Sequence, residues 1–230
     1  MKTVKFLFVL LFILSTPLQL FGRVTESAEN LLHVIHRVNR HWQENNSPQV
    51  RSFWDNAAYH TGNMEVYELT GNTAYLKYST DWAEYNHWKG AASDNKAEWR
   101  YGYGETPQYV LFGDWQCCFQ TYADLYGIRG DDRKIARARE VMEYQMGTDK
   151  NDYWWWADGL YMVMPVMTKL HRITKNPLYL EKLYEYFSYA DSVMYDPEVG
   201  LYYRDGSFVY PKHSILGGKK DFWARGDGSV

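Results

Sequence analysis

Apolar residues recur every three or four positions along most of the chain, the spacing that places them on one face of an α-helix. A first helix is predicted from Thr25 or Ser27 to about Glu44, because either hydroxyl suits an N-cap. Six further helices are predicted at about 53–69, 74–88, 114–126, 132–145, 159–174 and 178–195. The polar, Gly-rich stretch 89–108 is predicted to be a long loop of the kind that often carries function. Apolar segments on both sides of Asp205-Gly206 predict a small β-hairpin near the C-terminus.

A short motif repeats at the helix junctions. Residues 69–76 and 173–180 share Thr, Asn and Tyr-Leu at matching positions, and residues 128–131 form a weaker third copy. Each copy joins an outgoing helix to a returning one. Repeated helical hairpins bury their apolar faces by stacking on one another, so the pattern predicts a solenoid or a closed toroid. A generic helical bundle with common turn residues is the alternative.

The N-terminus has the pattern of a secretory signal peptide. Two lysines within residues 1–5 precede an uninterrupted apolar run at 6–14, which residues 15–17 break. The run is too short for a comfortable transmembrane helix. We therefore expect residues 1–22 to be removed, the protein to be exported to the periplasm or secreted, and residues 23–230 to form one domain.

Composition narrows the function further. A net charge of −3 and a pI near 6.2 give no basic field for nucleic acid. The chain has 21 Tyr, 10 Phe and 10 Trp, and Tyr and Trp suit stacking on sugar rings, although helical cores also use them. Cys117 and Cys118 are adjacent, so they are expected to be small buried helix residues and not a disulfide.

Three segments interrupt the amphipathic pattern, and each contains polar or charged residues that could act in catalysis or binding. The first, 112–122, carries Asp114 with amides, a hydroxyl and aromatics; the second, 153–162, places Asp158 after three consecutive Trp. Asp158 is either an N-cap or a carboxyl whose apolar surroundings raise its pKa, as a general acid needs. In the third, 222–228, the guanidinium of Arg225 suits a sugar carboxylate. Each segment taken alone also has a purely structural explanation.

The order of these segments resembles glycoside hydrolase families 88 and 105, the unsaturated glucuronyl and rhamnogalacturonyl hydrolases. The resemblance runs from Trp54 to the end, and its most specific parts are residues 155–162 and 222–226, supported by Gly113-Asp114 and 120–122. It implies an all-α fold class, the N-terminal part of an (α/α)6 toroid of helical hairpins. It also implies removal of a 4,5-unsaturated uronic acid from lyase-generated oligosaccharides, pectin-type ones among them, by hydration of the C4=C5 bond.

The resemblance also implies roles for individual residues. Asp158 would donate the proton and activate water, Asp114 would be its partner carboxylate, and Trp223 with Arg225 would hold the unsaturated sugar. Further expected substrate contacts are Trp156, Gln120, Tyr59 and His60. The reaction needs no cofactor and no metal, and the dispersed histidines give little support to a metal site. The expected partner is an oligosaccharide, with neither nucleic acid nor a membrane involved after signal removal.

The chain departs from the pattern in three places. Arg204 stands where the rhamnogalacturonyl enzymes are expected to have a His, and Ser229 where an aromatic is expected. Fewer hairpins are predicted than the roughly six of a full toroid. An incomplete toroid leaves apolar helix faces uncovered, so weak or absent activity is expected of these 230 residues alone.

Other functions remain open at this point. Asp158 and Asp114 would also suit an inverting glycosidase acting on saturated glycans. A non-catalytic glycan-binding protein with an aromatic groove is the alternative from another class. A sugar epimerase on the same toroid has less support, because no His pair lies near the candidate site.

Overall fold

The structure, a computed structural model, describes residues 27–228. The predicted signal peptide, the alternative cap Thr25 and the departure at Ser229 lie outside these residues. The chain divides into two compact units, one ending at Ser47 and the other beginning at Pro48. In the first unit, residues 27–45 form helix α1, close to the predicted bounds. No helix among the described residues is long and apolar enough to cross a membrane.

Helices make up most of the regular secondary structure of the second unit. They are α2 (Trp54–Thr70), α3 (Thr73–Tyr85), α4 (Gly113–Gln116), α5 (Cys118–Ile128), α6 (Arg133–Met146), α7 (Ala157–Thr174), α8 (Leu178–Met194) and α9 (Ala224–Asp227). One 3₁₀ turn, Lys96–Glu98, lies in the long loop. Strands β1 (Tyr195–Asp196) and β2 (Leu201–Tyr202) form an antiparallel pair. The predicted fold class, an all-α arrangement of helical hairpins with a small β-hairpin near the C-terminus, is confirmed.

The repeat in the sequence marks two equivalent turns. Gly71 ends α2 and Lys175 ends α7 with left-handed backbones, φ 67° and 61°, each donating its N–H to the carbonyl four residues earlier. Asn72 and Asn176 follow, and each side-chain oxygen accepts the backbone N–H two residues later at 3.0 Å. A left-handed residue closes the first helix and an Asn begins the second. The turns thus define the hairpins α2–α3 and α7–α8.

Two predicted elements differ from the structure. The helix expected to reach Trp88 ends at Tyr85, because His87 and Trp88 adopt positive φ angles of 53° and 58°. The hairpin expected around Asp205-Gly206 lies earlier, at 195–202. Asp205 does not turn two strands, since its carboxylate accepts the backbone N–H and the hydroxyl of Ser207 while its backbone bridges to Trp156.

The core of the second unit is rich in aromatic residues. Trp82, Trp154, Tyr122 and Tyr186 are among its largest fully buried side chains. Both cysteines are free and fully buried on either side of the α4–α5 junction, as expected from their adjacency. Helix α5 packs against α2, α6 and α7, which brings the N-terminal ends of α4 and α7 together.

Candidate active site

A cavity of about 510 Å³ opens at the N-terminal ends of α4 and α7. Its charged lining residues are Asp114, Asp158, Asp205, Asp221, Arg204 and Arg225. Its aromatic lining residues are Trp54, Tyr103, Phe112, Trp155, Trp156, Phe208, Phe222 and Trp223. The three segments singled out in the sequence therefore meet at one place. A cavity with aromatic walls and a few convergent polar groups is the usual form of a small-molecule site.

Glycines allow the elements around the cavity to approach closely. A Cβ on Gly113 of α4 would lie 2.8 Å from the ring of Trp156, and one on Gly226 of α9 would lie 3.0 Å from Ala157 Cβ. Both glycines thus permit backbone positions that a larger residue would displace. The carboxyl groups of Asp114 and Asp158 are carried into the cavity by the first turns of α4 and α7.

Asp114 is a buried carboxyl group with a raised pKa. The residue is only 5% exposed, and its Oδ1 atom is buried without a hydrogen-bond partner in the described part of the chain. Burial raises the pKa to about 7, and the nearby charge of Asp158 acts in the same direction. The sequence did not predict this shift, because no local pattern indicates that Asp114 is buried.

Asp158 is paired with a guanidinium. The residue is 6% exposed, and its Oδ2 accepts a hydrogen bond from Arg225 Nη2 at 3.1 Å. The guanidinium carbon of Arg225 lies 4.1 Å from the ring centroid of Trp223 and 5.2 Å from that of Trp54. The side chain of Arg225 is nevertheless 55% exposed. Arg225 therefore contacts both the carboxylate and solvent, and cation–π contacts with the two indole rings hold its guanidinium in place.

The loop after β2 supplies a second guanidinium. The backbone N–H of Ala157 donates to the carbonyl of Arg204 at 2.9 Å, which ties this loop to the start of α7. Arg204 Nε donates to Asp205 Oδ2 at 2.9 Å, and its guanidinium carbon lies 4.0 Å from the ring centroid of Phe208. The position at which the resemblance predicts a His is thus occupied by an anchored Arg.

Gln120 does not line the cavity. Its Nε2 donates to the carbonyls of Tyr161 and Met162 in α7 at 2.9 and 3.0 Å. Helix α7 contains Pro165, which has no N–H to donate to the carbonyl of Tyr161 four residues earlier. The amide of Gln120 replaces the missing backbone hydrogen bond, so its role is to support the helix that carries Asp158.

Tyr59 and His60 lie against α3 and not in the cavity. The imidazole of His60 stacks on Trp82 with 3.9 Å between ring centroids, and its Nδ1 is 3.0 Å from Ser79 Oγ. Burial lowers the pKa of His60 to about 3. Tyr59 meets Tyr78 edge-on. The residue of α2 that lines the cavity is instead Trp54, because helical periodicity turns positions 59 and 60 toward α3.

Several lining residues had a weak sequence signal or none. Tyr103 lies in the long Gly-rich loop that length alone marks as functional, and Trp54 begins the matched segment. Nothing in the local sequence predicted Phe208.

A second cavity of about 220 Å³ adjoins the first and shares Trp54, Asp158, Met162 and Arg225 with it. Within residues 27–228, no group of three or more His, Cys, Asp or Glu side chains is placed to hold a metal ion.

Comparison with known proteins assigns the chain to a protein family. The sequence profile of Glycosyl Hydrolase Family 88 matches residues 28–230. A curated relative, the unsaturated 3S-rhamnoglycuronyl hydrolase of Formosa agariphila, is 26% identical over 189 residues, covering 77% of this chain and 48% of its own length. The protein of the same name from an Alteromonas species is 34% identical over 77 residues, covering 34% of this chain and 18% of its own.

Solved structures give a consistent result. A glycosyl hydrolase family 88 protein from Bacteroides vulgatus is 70% identical, with a TM-score of 0.86 over 87% of this chain and 58% of that one. A structure named as a polysaccharide lyase is 69% identical, with a TM-score of 0.86 over 89% of this chain and 58% of that one. The chain thus spans about half the length of the Formosa relative and under two thirds of these two structures.

Proposed function

Because the chain belongs to Glycosyl Hydrolase Family 88, we propose that it removes a 4,5-unsaturated uronic acid from the non-reducing end of lyase-generated oligosaccharides. The observation that carries this proposal is the buried pair Asp114 and Asp158 in an aromatic cavity, with Arg225 hydrogen-bonded to Asp158. An unsaturated uronic acid brings a flat ring, an electron-rich double bond and a carboxylate. The aromatic walls, the carboxyl groups and the guanidinium match these features one for one.

In the proposed reaction, the substrate carboxylate takes the hydrogen bonds of Arg225 away from Asp158. Once released from the guanidinium, Asp158 takes up a proton from solvent, gives it to C4 of the double bond and accepts another from the water that adds at C5. The hemiketal so formed opens, and the glycosidic bond breaks. Asp114, whose pKa is raised to about 7, holds its proton in about half of the molecules at pH 7 and organises the water and the sugar hydroxyls.

The names of the two curated relatives support this substrate class, since both include an unsaturated glycuronyl unit. For this chain we propose pectin-type and related oligosaccharides that end in such a unit. Export to the periplasm or the medium is also proposed, on the n-region and apolar run of residues 1–22. N-terminal sequencing of the mature protein tests the export proposal, and an intact Met1 contradicts it.

The alkene provides the test, because its ultraviolet absorbance disappears on hydration. Because only weak activity is expected of these 230 residues alone, the purified chain is used in excess over an unsaturated uronyl disaccharide. The absorbance is expected to fall slowly, while the matching saturated disaccharide remains intact. An inverting glycosidase would instead cleave the saturated sugar. A glycan-binding protein would bind both and consume neither.

One relative's name favours a different candidate. The 69% identical structure is named as a polysaccharide lyase, and a lyase creates the alkene that a hydrolase of this type removes. The two activities therefore change the absorbance in opposite directions. A rise on incubation with an intact uronic acid polymer would establish lyase action, and a fall with the unsaturated disaccharide would establish hydration.

A further inference from the structure

We propose that Arg204 binds a second anionic group of the substrate, carried by the sugar next to the unsaturated uronyl unit. This inference rests on the proposed function and narrows its substrate class. Arg204 lines the 510 Å³ cavity, and its side chain is 46% exposed. It is also one of the places at which the chain departs from the pattern that it resembles.

Arg204 is anchored in a way that leaves its binding edge available. Its Nε donates to Asp205, and its guanidinium carbon lies over the ring of Phe208, 4.0 Å from the centroid. Within the described part of the chain, Nη1 and Nη2 make no hydrogen bond. An Arg held by its Nε and packed over an aromatic ring still has one N–H of each Nη atom available as a parallel pair of donors, the arrangement that binds a sulfate or a carboxylate in a bidentate manner.

The anchors of Arg204 are themselves fixed. The carboxylate of Asp205 is buried and also accepts the backbone N–H of Ser207 at 2.8 Å. The carbonyl of Arg204 accepts the N–H of Ala157, directly beside Asp158. The guanidinium therefore starts from a backbone that is tied to the catalytic helix, which lowers the entropic cost of holding a ligand.

Arg204 and Arg225 are separate cationic centres. Arg225 pairs with Asp158 and borders both cavities, whereas Arg204 pairs with Asp205 and borders only the larger one. Each lies on its own aromatic side chain, Trp223 or Phe208. Because the uronyl carboxylate is assigned to Arg225, an anion at Arg204 belongs to the next unit. A cavity of about 510 Å³ is within the range that holds a ligand larger than one sugar ring.

The test is a binding experiment, so it does not depend on turnover. Three unsaturated uronyl disaccharides are titrated by calorimetry: one with a neutral second sugar, one with a sulfate ester on that sugar, and one with a uronate there. All proteins carry Asp158→Asn, which keeps the disaccharides intact during the titration. Arg204→Gln and Arg204→Lys are compared with the parent and with Arg133→Gln, which alters an exposed Arg of α6 outside the cavity.

The parent is expected to bind one of the anionic disaccharides at least tenfold more tightly than the neutral one. Arg204→Gln is expected to reduce that ratio about tenfold, Arg204→Lys to reduce it less, and Arg133→Gln to leave it unchanged. The larger ratio identifies sulfate or carboxylate as the group bound. Equal weakening of all three ligands by Arg204→Gln, or a parent with no preference, would overturn the proposal. Failure of the proposed function is a separate result, since it would appear as an unchanged alkene absorbance.

Discussion

Arg225 Nη2 lies 3.1 Å from Asp158 Oδ2, which joins the short helix α9 to the first turn of α7. Gly226 makes this possible, because its missing Cβ lets α9 approach Ala157. Asp227 fixes the other side of α9 by accepting the backbone N–H of Tyr202 in β2 at 2.6 Å. The Trp-x-Arg-Gly segment is therefore a structural unit that delivers a guanidinium to a buried carboxylate.

The first prediction concerns this guanidinium. Arg225→Gln is expected to weaken binding of an unsaturated uronyl disaccharide by roughly 10- to 100-fold, because a charge-assisted bidentate contact is lost. Methyl esterification of the uronyl carboxylate is expected to weaken binding to the unaltered protein by a similar factor. Calorimetry on the four combinations checks both. A variant that still discriminates the acid from its methyl ester would show that another residue binds the carboxylate.

Asp114 predicts an unusual dependence of stability on pH. Its pKa in the folded protein, about 7, exceeds the ordinary value of 3.8, so the folded state holds this proton more tightly than the unfolded state. The resulting stabilisation is complete below about pH 4 and is lost as pH rises through 7. Asp114→Asn is therefore expected to be more stable than the unaltered protein by about 2 kcal/mol at pH 8, and equally stable at pH 4.

Urea unfolding of the two proteins at both pH values measures this difference. Asp81→Asn is a suitable control, since Asp81 pairs with Lys77 on the exposed surface of α3. If the gap between Asp114→Asn and the unaltered protein does not change with pH, the raised pKa of Asp114 is wrong.

His60 has the opposite dependence. Burial lowers its pKa from 6.5 to about 3. Between these two pH values, His60 is protonated in the unfolded state and neutral in the folded state. The contribution of His60 to the free energy of unfolding is therefore full above about pH 6.5 and is lost as pH falls toward 3. His60→Ala is expected to cost about 3 kcal/mol at pH 8, because it removes a ring stacked on Trp82, and distinctly less at pH 5.

The same variant separates a structural role from a binding role. Since His60 packs against α3 outside the cavity, the affinity of His60→Ala for the unsaturated disaccharide at pH 8 is expected to stay within twofold of the original. A large loss of affinity in a folded variant would restore His60 to the substrate site.

Gln120 and Pro165 are predicted to be energetically coupled. Gln120→Ala leaves the carbonyl of Tyr161 without a donor and is expected to cost about 2 kcal/mol. Pro165→Ala supplies a backbone N–H to that carbonyl, so Gln120→Ala is expected to cost less in the Pro165→Ala background. A double-mutant cycle by denaturant unfolding measures the coupling. Equal costs in the two backgrounds would refute this account of Gln120.

The sequence predicts the hairpins well because their signals are local. The left-handed Gly71, the capping Asn72 and the apolar spacing all act within a few residues, so the helix ends follow from them. The three chemical segments were likewise recognisable by their order. In the structure, five residues from these segments line one cavity: Asp114, Asp158, Trp156, Trp223 and Arg225.

Residues whose roles depend on distant partners were not predictable in the same way. The amide of Gln120 was expected in the cavity because no sequence pattern connects it with a proline 45 positions later. His60 lies outside the cavity because its position around the axis of α2 directs it toward α3, and the sequence alone did not show which face of α2 borders the cavity. The raised pKa of Asp114 depends on burial and on Asp158, and both arise from the packing of α4 on α7.

The central claim, that Asp158 protonates a sugar alkene, has one direct measurement. The chain and its Asp158→Asn variant are each mixed in excess with an unsaturated uronyl disaccharide, and the ultraviolet absorbance of the double bond is followed over time. The absorbance is expected to fall with the unaltered chain and to stay constant with the variant. Equal rates of loss for the two proteins would contradict the claim, as would cleavage of the saturated disaccharide at the same rate as the unsaturated one.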